Sequence, residues 1–352
     1  MCPASDDETL DIVLPLLQKV AAKGSNGKPC VGKIGTGGAG HYVKMIHNGI
    51  EHGMMSAITE AWGIMTKGLG MDQDEIGDVF EQWNSKGELK GTFLIDISAS
   101  ICRTKDPKTG ERVLDTVEDK VVQDITGEEG TGVWSNMEAV AEHIPAPTMT
   151  VAHYLRLASA DLRQRRAVNK VFGGDFPPQK LDVPDKAAFL ESLRLATYTA
   201  CLASYVQGLI IIDRADKEKH FNINYDSVLQ IWSGGCIIQA DYISEQLLHP
   251  IYKDHASKDT CNPLYEPAVA KEFKKGFQPL KRVCLKAMED DHVTPALSAS
   301  LEWLKIVTSV DLPTGFYEAQ LDFFGNHMFD KKGEDPEGLP TEGKYSYEWK
   351  AA

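Results

Sequence analysis

The residues from Gly35 to Gly70, GTGGAGHYVKMIHNGIEHGMMSAITEAWGIMTKGLG, constrain the fold more than any other stretch. Val43, Ile46, Ile50, Met54, Ala57, Ile58, Ala61 and Met65 cover most of a helix drawn through them, and a helix apolar on nearly all sides belongs in an interior. Against that background Lys44, His47, Asn48 and Glu51 stand at i, i+3, i+4 and i+7, along one stripe. A lysine and a glutamate seven apart are ordinarily a solvated face. Here the flanking surface is too apolar to leave a solvent side, so the stripe is expected to face a cleft. Burial lowers the proton affinity of a lysine and raises that of a glutamate, so the first can accept and the second donate a proton near neutral pH. Oxidation of a hydroxyl followed by protonation of an enol needs such a pair.

A chain of 352 residues, 42% of them hydrophobic, can bury one large core or two smaller ones. The formal charge of −14 argues against nucleic acid or an anionic membrane as the main partner. Seven cysteines, an odd number without paired CxxC spacing, read as reduced thiols in a cytoplasmic protein. Cys30, Cys102, Cys201 and Cys236 are expected to be packing residues rather than nucleophiles or metal ligands, and no metal site is expected. The start, MCPASDDETL, is polar and acidic, unlike a signal peptide, and no run of eighteen apolar residues predicts a membrane span.

In chain order, Glu8 to Lys23 has helical periodicity with Pro15 as a point for a kink, and Cys30 to Ile34 is predicted as a short strand. Gly35-Thr-Gly-Gly-Ala-Gly40 fits the dinucleotide pattern G-x-G-x-x-G, but the acidic residue expected some twenty positions on, Glu60, falls inside the same helix, which rejects that reading. Helices are predicted between Asp72 and Ser100, and Thr104 to Glu118 as an exposed connector. Lys186 to Lys217 is long, apolar and helical in period. Further helices are expected from Tyr225 to Leu248, from Pro250 to Pro279 and from Lys281 to Val310.

The run Gly38-Ala-Gly-His-Tyr-Val-Lys-Met-Ile-His-Asn-Gly-Ile-Glu51 resembles the catalytic helix of the decarboxylating 6-phosphogluconate dehydrogenases. The resemblance implies that Lys44 takes the proton from the C3 hydroxyl as hydride leaves for NADP. It also implies that Glu51 protonates C1 of the enediol left after loss of CO2, and that His47 and Asn48 hold substrate, with Asn48 also reaching the cofactor. Val122-Gln-Asp-Ile-Thr-Gly-Glu-Glu-Gly-Thr-Gly-Val-Trp134 resembles the family's signature loop, with Glu129 where the family has a phosphate-binding lysine. At a phosphate site that change turns attraction into repulsion. Arg156 matches a retained arginine, His52 replaces a phosphate-binding tyrosine, and Ala319-Gln-Leu-Asp-Phe-Phe-Gly-Asn-His327 keeps the histidine but has Leu321 for arginine. That last segment is the one the family's partner subunit inserts into the active site. Ile231-Trp-Ser-Gly-Gly-Cys-Ile-Ile238 resembles a further family run, with Ser233 for arginine and glycines expected to permit close helix packing.

The expected fold is mainly α: a small αβ remnant of a Rossmann domain over residues 1–39 (one helix, one strand), an all-helical catalytic and dimerisation domain over 40–330, and a tail over 331–352 that is either an arm across a partner subunit or disordered. Because the resemblance begins well inside the family's pattern, either the chain as given is truncated or the protein has lost its own cofactor site. The resemblance implies a cytoplasmic, homodimeric, NADP-dependent decarboxylating enzyme of the pentose phosphate pathway acting on a sugar acid. Two alternatives stand beside it: a non-catalytic paralogue that keeps the helical dimerisation domain, and a dehydrogenase of an unphosphorylated hydroxy acid.

Overall fold

The long helix foreseen in the sequence spans Ala39–Gly63 and continues into a π-helical turn at Ile64–Gly68. A computed structural model of the chain describes residues 7–123, 130–174, 176–253, 262–334, 337–338 and 342–349. In order, the helices are α1 (Asp7–Val20), α2 (Ala39–Gly63), α3 (Gln73–Ser85), α4 (Phe93–Arg103), α5 (Thr131–Ala141), α6 (Pro147–Ala160), α7 (Leu162–Val171), α8 (Lys186–Lys219), α9 (Tyr225–Trp232), α10 (His249–Lys253), α11 (Pro267–Glu289), α12 (Pro295–Val307) and α13 (Thr314–Gly325). Among the described residues, β-pairing is limited to isolated bridges, as between Lys23 and Pro29. The mainly α expectation is met, and two units are distinguished, Met1–Trp303 and Leu304–Ala352.

In the first unit α2 is the interior helix. Val43, Ile46, Ile50, Met54, Ala57 and Ala61 are fully buried. It packs on α8, where the Ser204 hydroxyl donates to the Ile50 carbonyl at 2.9 Å. On another side it meets α5 and α6. These contacts need glycine: a Cβ on Gly53 would collide with Ser204, one on Gly208 with Ile50, and one on Gly49 with Met149. The far end of α2 is tied to α12 by Glu60, whose buried carboxylate accepts from the backbone N–H of Ala296 (2.8 Å) and of Leu297 (2.9 Å). Those N–H groups lie in the first turn of α12 and have no partner within their own helix. Helix α8 is long and apolar enough to cross a bilayer, and 89% of its most apolar stretch is buried inside the protein, as a core helix requires.

Three expectations need correction. Cys30 to Ile34 is irregular backbone: Cys30 N–H donates to the Ala22 carbonyl and the Ile34 carbonyl accepts from Asn224, so no neighbouring strand forms a ladder with it. Its Val31 packs on Leu10 of α1. The break expected around Pro279 is absent, because α11 runs through it. An interior proline costs about 3 kcal/mol. Burial of Leu280, Val283, Cys284 and Ala287 beyond it, at roughly 1.5 kcal/mol or more per large apolar side chain, outweighs that cost. Third, the glycines after α9 do not pack helix on helix. They form a turn, with Gly235 at φ +62° and Gly234 so close to the Lys23 carbonyl that a Cβ would stand 2.6 Å from its oxygen.

In the second unit α13 ends at Asn326 in the left-handed conformation. The Asp322 carboxylate, fully buried, accepts from the N–H of Met328 (3.1 Å), the N–H of Tyr347 (2.9 Å) and the Trp349 indole (2.8 Å). Tail residues 342–349 are thereby folded back along their own helix rather than disordered.

Candidate active site

The turn before α2 aims the polar stripe. Gly37 adopts φ +55°, and the Thr36 N–H donates to the Phe221 carbonyl at 2.7 Å, fixing the entry of the helix against the end of α8. Among the described residues no strand precedes this turn. From there the helical period brings Lys44, His47, Asn48 and Glu51 to one side. Lys44, Asn48 and Glu51 are half-buried, and His47 is buried.

The four side chains form one network. The Lys44 amine donates to the Asn48 carbonyl oxygen at 2.7 Å and lies 3.1 Å from Nδ1 of His47. That Nδ1 is 3.0 Å from the same Asn48 oxygen and 3.9 Å from a Glu51 carboxylate oxygen. The Asn48 amide donates to the hydroxyl of Thr131 at 3.1 Å, at the start of α5. On its other edge, Nε2 of His47 meets Sγ of Cys236 at 2.8 Å, and the Trp232 indole stands edge-on at 6.0 Å. The Gly234-Gly235 turn brings Cys236 to this place.

Electrostatics follow from burial. His47 is pushed down to about 3, first by desolvation and then by the Lys44 charge, against the Asn48 hydrogen bond, so its imidazole is neutral at physiological pH. Burial raises Glu51, while the charges of Lys44 and Arg156 pull it back down. A carboxyl held in that balance is suited to carry and release a proton.

The other sequence candidates fall as follows. His52 is buried and stacks on His153 of α6, the ring centroids 5.9 Å apart and the planes 6° from parallel, with Gly132 against both rings. Arg156, half-buried on α6, acts on Glu51 through its charge. Glu129 lies outside the described residues. Leu321, half-buried, and His327, exposed with its ring 5.8 Å from that of Phe324, belong to the second unit.

Sequence reasoning missed Thr131, His153 and Cys236. Thr131 was within view, in the loop already singled out. His153 and Cys236 lie about a hundred and nearly two hundred positions from the residues they touch, and no periodicity signals such pairs. Cys236, expected as packing, is a hydrogen-bonding neighbour of His47.

Residues 40–349 match the family model described as 6-phosphogluconate dehydrogenase, C-terminal domain. The decarboxylating 6-phosphogluconate dehydrogenase of Emericella nidulans is 42% identical over the whole of this chain, which spans 73% of that enzyme. The Salmonella typhimurium enzyme of the same name is 35% identical over 96% of this chain and 68% of its own. Among solved structures, Plasmodium falciparum 6-phosphogluconate dehydrogenase superposes with a TM-score of 0.85 at 32% identity, over 98% of this chain and 70% of that one. That protein is described without ligand, with its cofactor NADP+ and with its substrate 6-phosphogluconate.

Proposed function

This chain belongs to the 6-phosphogluconate dehydrogenase family, and from that premise we propose that it serves the NADP-dependent oxidative decarboxylation of 6-phospho-D-gluconate to ribulose 5-phosphate and CO2, in the cytoplasm and as a homodimer. The observation behind this reading is a half-buried amine and a half-buried carboxyl on one helix, both within reach of a single neutral imidazole. Lys44 accepts the proton of the C3 hydroxyl. His47 and Asn48, locked to it and to each other, orient the substrate hydroxyls. Glu51 delivers a proton to C1 of the enediol once CO2 has left.

NADP would supply the hydride acceptor. On this chain Asn48 is the residue that would contact it, by resemblance to the family. Among the described residues no βαβ unit offers a seat for the pyrophosphate, and no step is assigned to residues 1–39.

A second reading, a dehydrogenase of an unphosphorylated hydroxy acid, is favoured by His52: its ring is committed to a buried stack with His153. One experiment separates the readings. The protein is titrated with NADP and with NAD, and reduced nicotinamide is followed at its absorbance in the presence of 6-phosphogluconate or gluconate. Turnover of the phosphorylated acid supports the first reading; turnover of gluconate alone supports the second; no nucleotide binding supports a non-catalytic paralogue. In a preparation that turns over, Lys44→Ala should lower kcat by 10²-fold or more, the lower range for loss of a general base, with little change in thermal midpoint. Unchanged kcat would remove Lys44 from its role.

A further inference from the structure

Two helices of the first unit carry apolar rows that the described residues leave open. On the inner side of α1, Leu10 packs on Val31, with Leu14, Leu17 and Ala21 around them. Its outer side sets Ile12, Leu16 and Val20 at i, i+4 and i+8, and these are 74%, 63% and 77% exposed. Glu8, also exposed, heads the same row one turn earlier. An unbroken apolar row on a surface helix marks a contact site, because covering it releases the water held against it. On α7 no residue is buried. Arg165, Val168 and Phe172 follow one another along one side, and Phe176 continues the line beyond the helix. With Pro177 and Pro178 they line a cavity of about 690 Å³. Arg165 donates through Nη1 to the carbonyls of Asp119 (2.6 Å) and Ser159 (3.2 Å), which hold its guanidinium at the head of this groove. The two helices are opposite in charge. In a chain of net charge −14, α7 has four bases and no acid, whereas the first five residues of α1 hold Asp7, Glu8 and Asp11 and no base.

We propose that α1 of one copy lies in the α7 groove of a second copy, and the reverse, so that the dimer is built on this contact made twice. Each row opens on a charge and continues apolar. Laid parallel, Glu8 meets Arg165, Ile12 meets Val168, Leu16 meets Phe172 and Val20 meets Phe176. The antiparallel arrangement would set the Glu8 carboxylate on the phenylalanines, where it has no donor. Electrostatics favour the same choice: on an acidic molecule, a helix of four bases is where the acidic end of a like copy is attracted rather than repelled. Reciprocity closes the contact as a pair instead of extending it into a filament. The inference deepens the homodimer proposed above and rests on it.

The test is sedimentation of the full chain at micromolar concentration. Glu8→Arg sets two cations against each other twice per dimer and should raise the dimer dissociation constant about tenfold. Adding Arg165→Glu in the same chain restores the pair with its signs exchanged and should recover most of that loss. Leu16→Asp, which places a charge in the apolar row, should weaken the dimer more than Glu8→Arg does. These side chains are exposed, so helix content by circular dichroism should not change. Under mild oxidation the double variant Leu16→Cys, Phe172→Cys should give a covalent dimer that neither single variant gives. Dimers indifferent to Glu8→Arg and Leu16→Asp, or absence of that cross-link, overturn the inference and leave the homodimer in place. An unmodified chain that sediments as a monomer overturns both.

Discussion

At the scale of single residues, buried carboxyls give this protein opposing responses to pH. Desolvation would raise Glu88, but hydrogen bonds from Lys275 and Arg194 outweigh it and hold the carboxylate down to about 2. A folded value below the unfolded one means stability that is present above about 4.5 and is lost as pH falls from there toward 2. Glu60 has the reverse sign. Complete burial pushes it up to about 7, against the hydrogen bonds from Leu297, Ser56 and Ala296. The folded state therefore binds the extra proton, and stability declines as pH rises from 4.5 to 7. Thermal midpoints measured across both windows should show Glu88→Gln flattening the acid limb and Glu60→Gln flattening the neutral one. A Glu60→Gln profile that keeps its slope between 4.5 and 7 would place that titration elsewhere.

Among the elements, α2 matters most, because three of its neighbours approach it through glycine-lined contacts. Gly53 illustrates the balance. Replacing it with Val gains a few tenths of a kcal/mol in helix propensity. The branched side chain must displace Ser204, which donates to the Ile50 carbonyl at 2.9 Å, and overpacking of this kind costs about 1–3 kcal/mol. Gly53→Val is therefore expected to lower the urea midpoint with an unchanged m-value. A rise would mean that α8 moves away freely. The helix itself was legible in the sequence because its apolar period and polar stripe are local facts. That its stripe is roofed by a turn near position 236 was not, since that turn is set by the left-handed Gly235 and its fit against residues 22 and 23.

For the molecule as a whole, two units and a proposed dimer set the predictions. Sedimentation should give about twice the 38.8 kDa chain mass. A monomer at micromolar concentration would remove the dimer from the proposal. Within the second unit, Asp322 is the anchor. Burial works against its ionised form, but the donors from Tyr347, Trp349 and Met328 hold it down at about 2, so the tail stays tied across the neutral range. Asp322→Ala should speed amide exchange over residues 344–349 and shift Trp349 emission to the red. Unchanged exchange would show that the aromatic contact of Trp349 with Phe323, 6.2 Å between rings, suffices.

The sequence by itself determined the helical class, the interior status of α2 and the shared face of Lys44, His47, Asn48 and Glu51, because each depends on spacing along one helix. Tertiary structure alone decided that the Cys30 segment pairs with no strand, that α11 passes through Pro279, and that Cys236, Thr131 and His153 join the site. Those outcomes depend on burial and hydrogen bonding between segments far apart in the chain, and side chains brought together in that way leave no periodic trace in the order of residues.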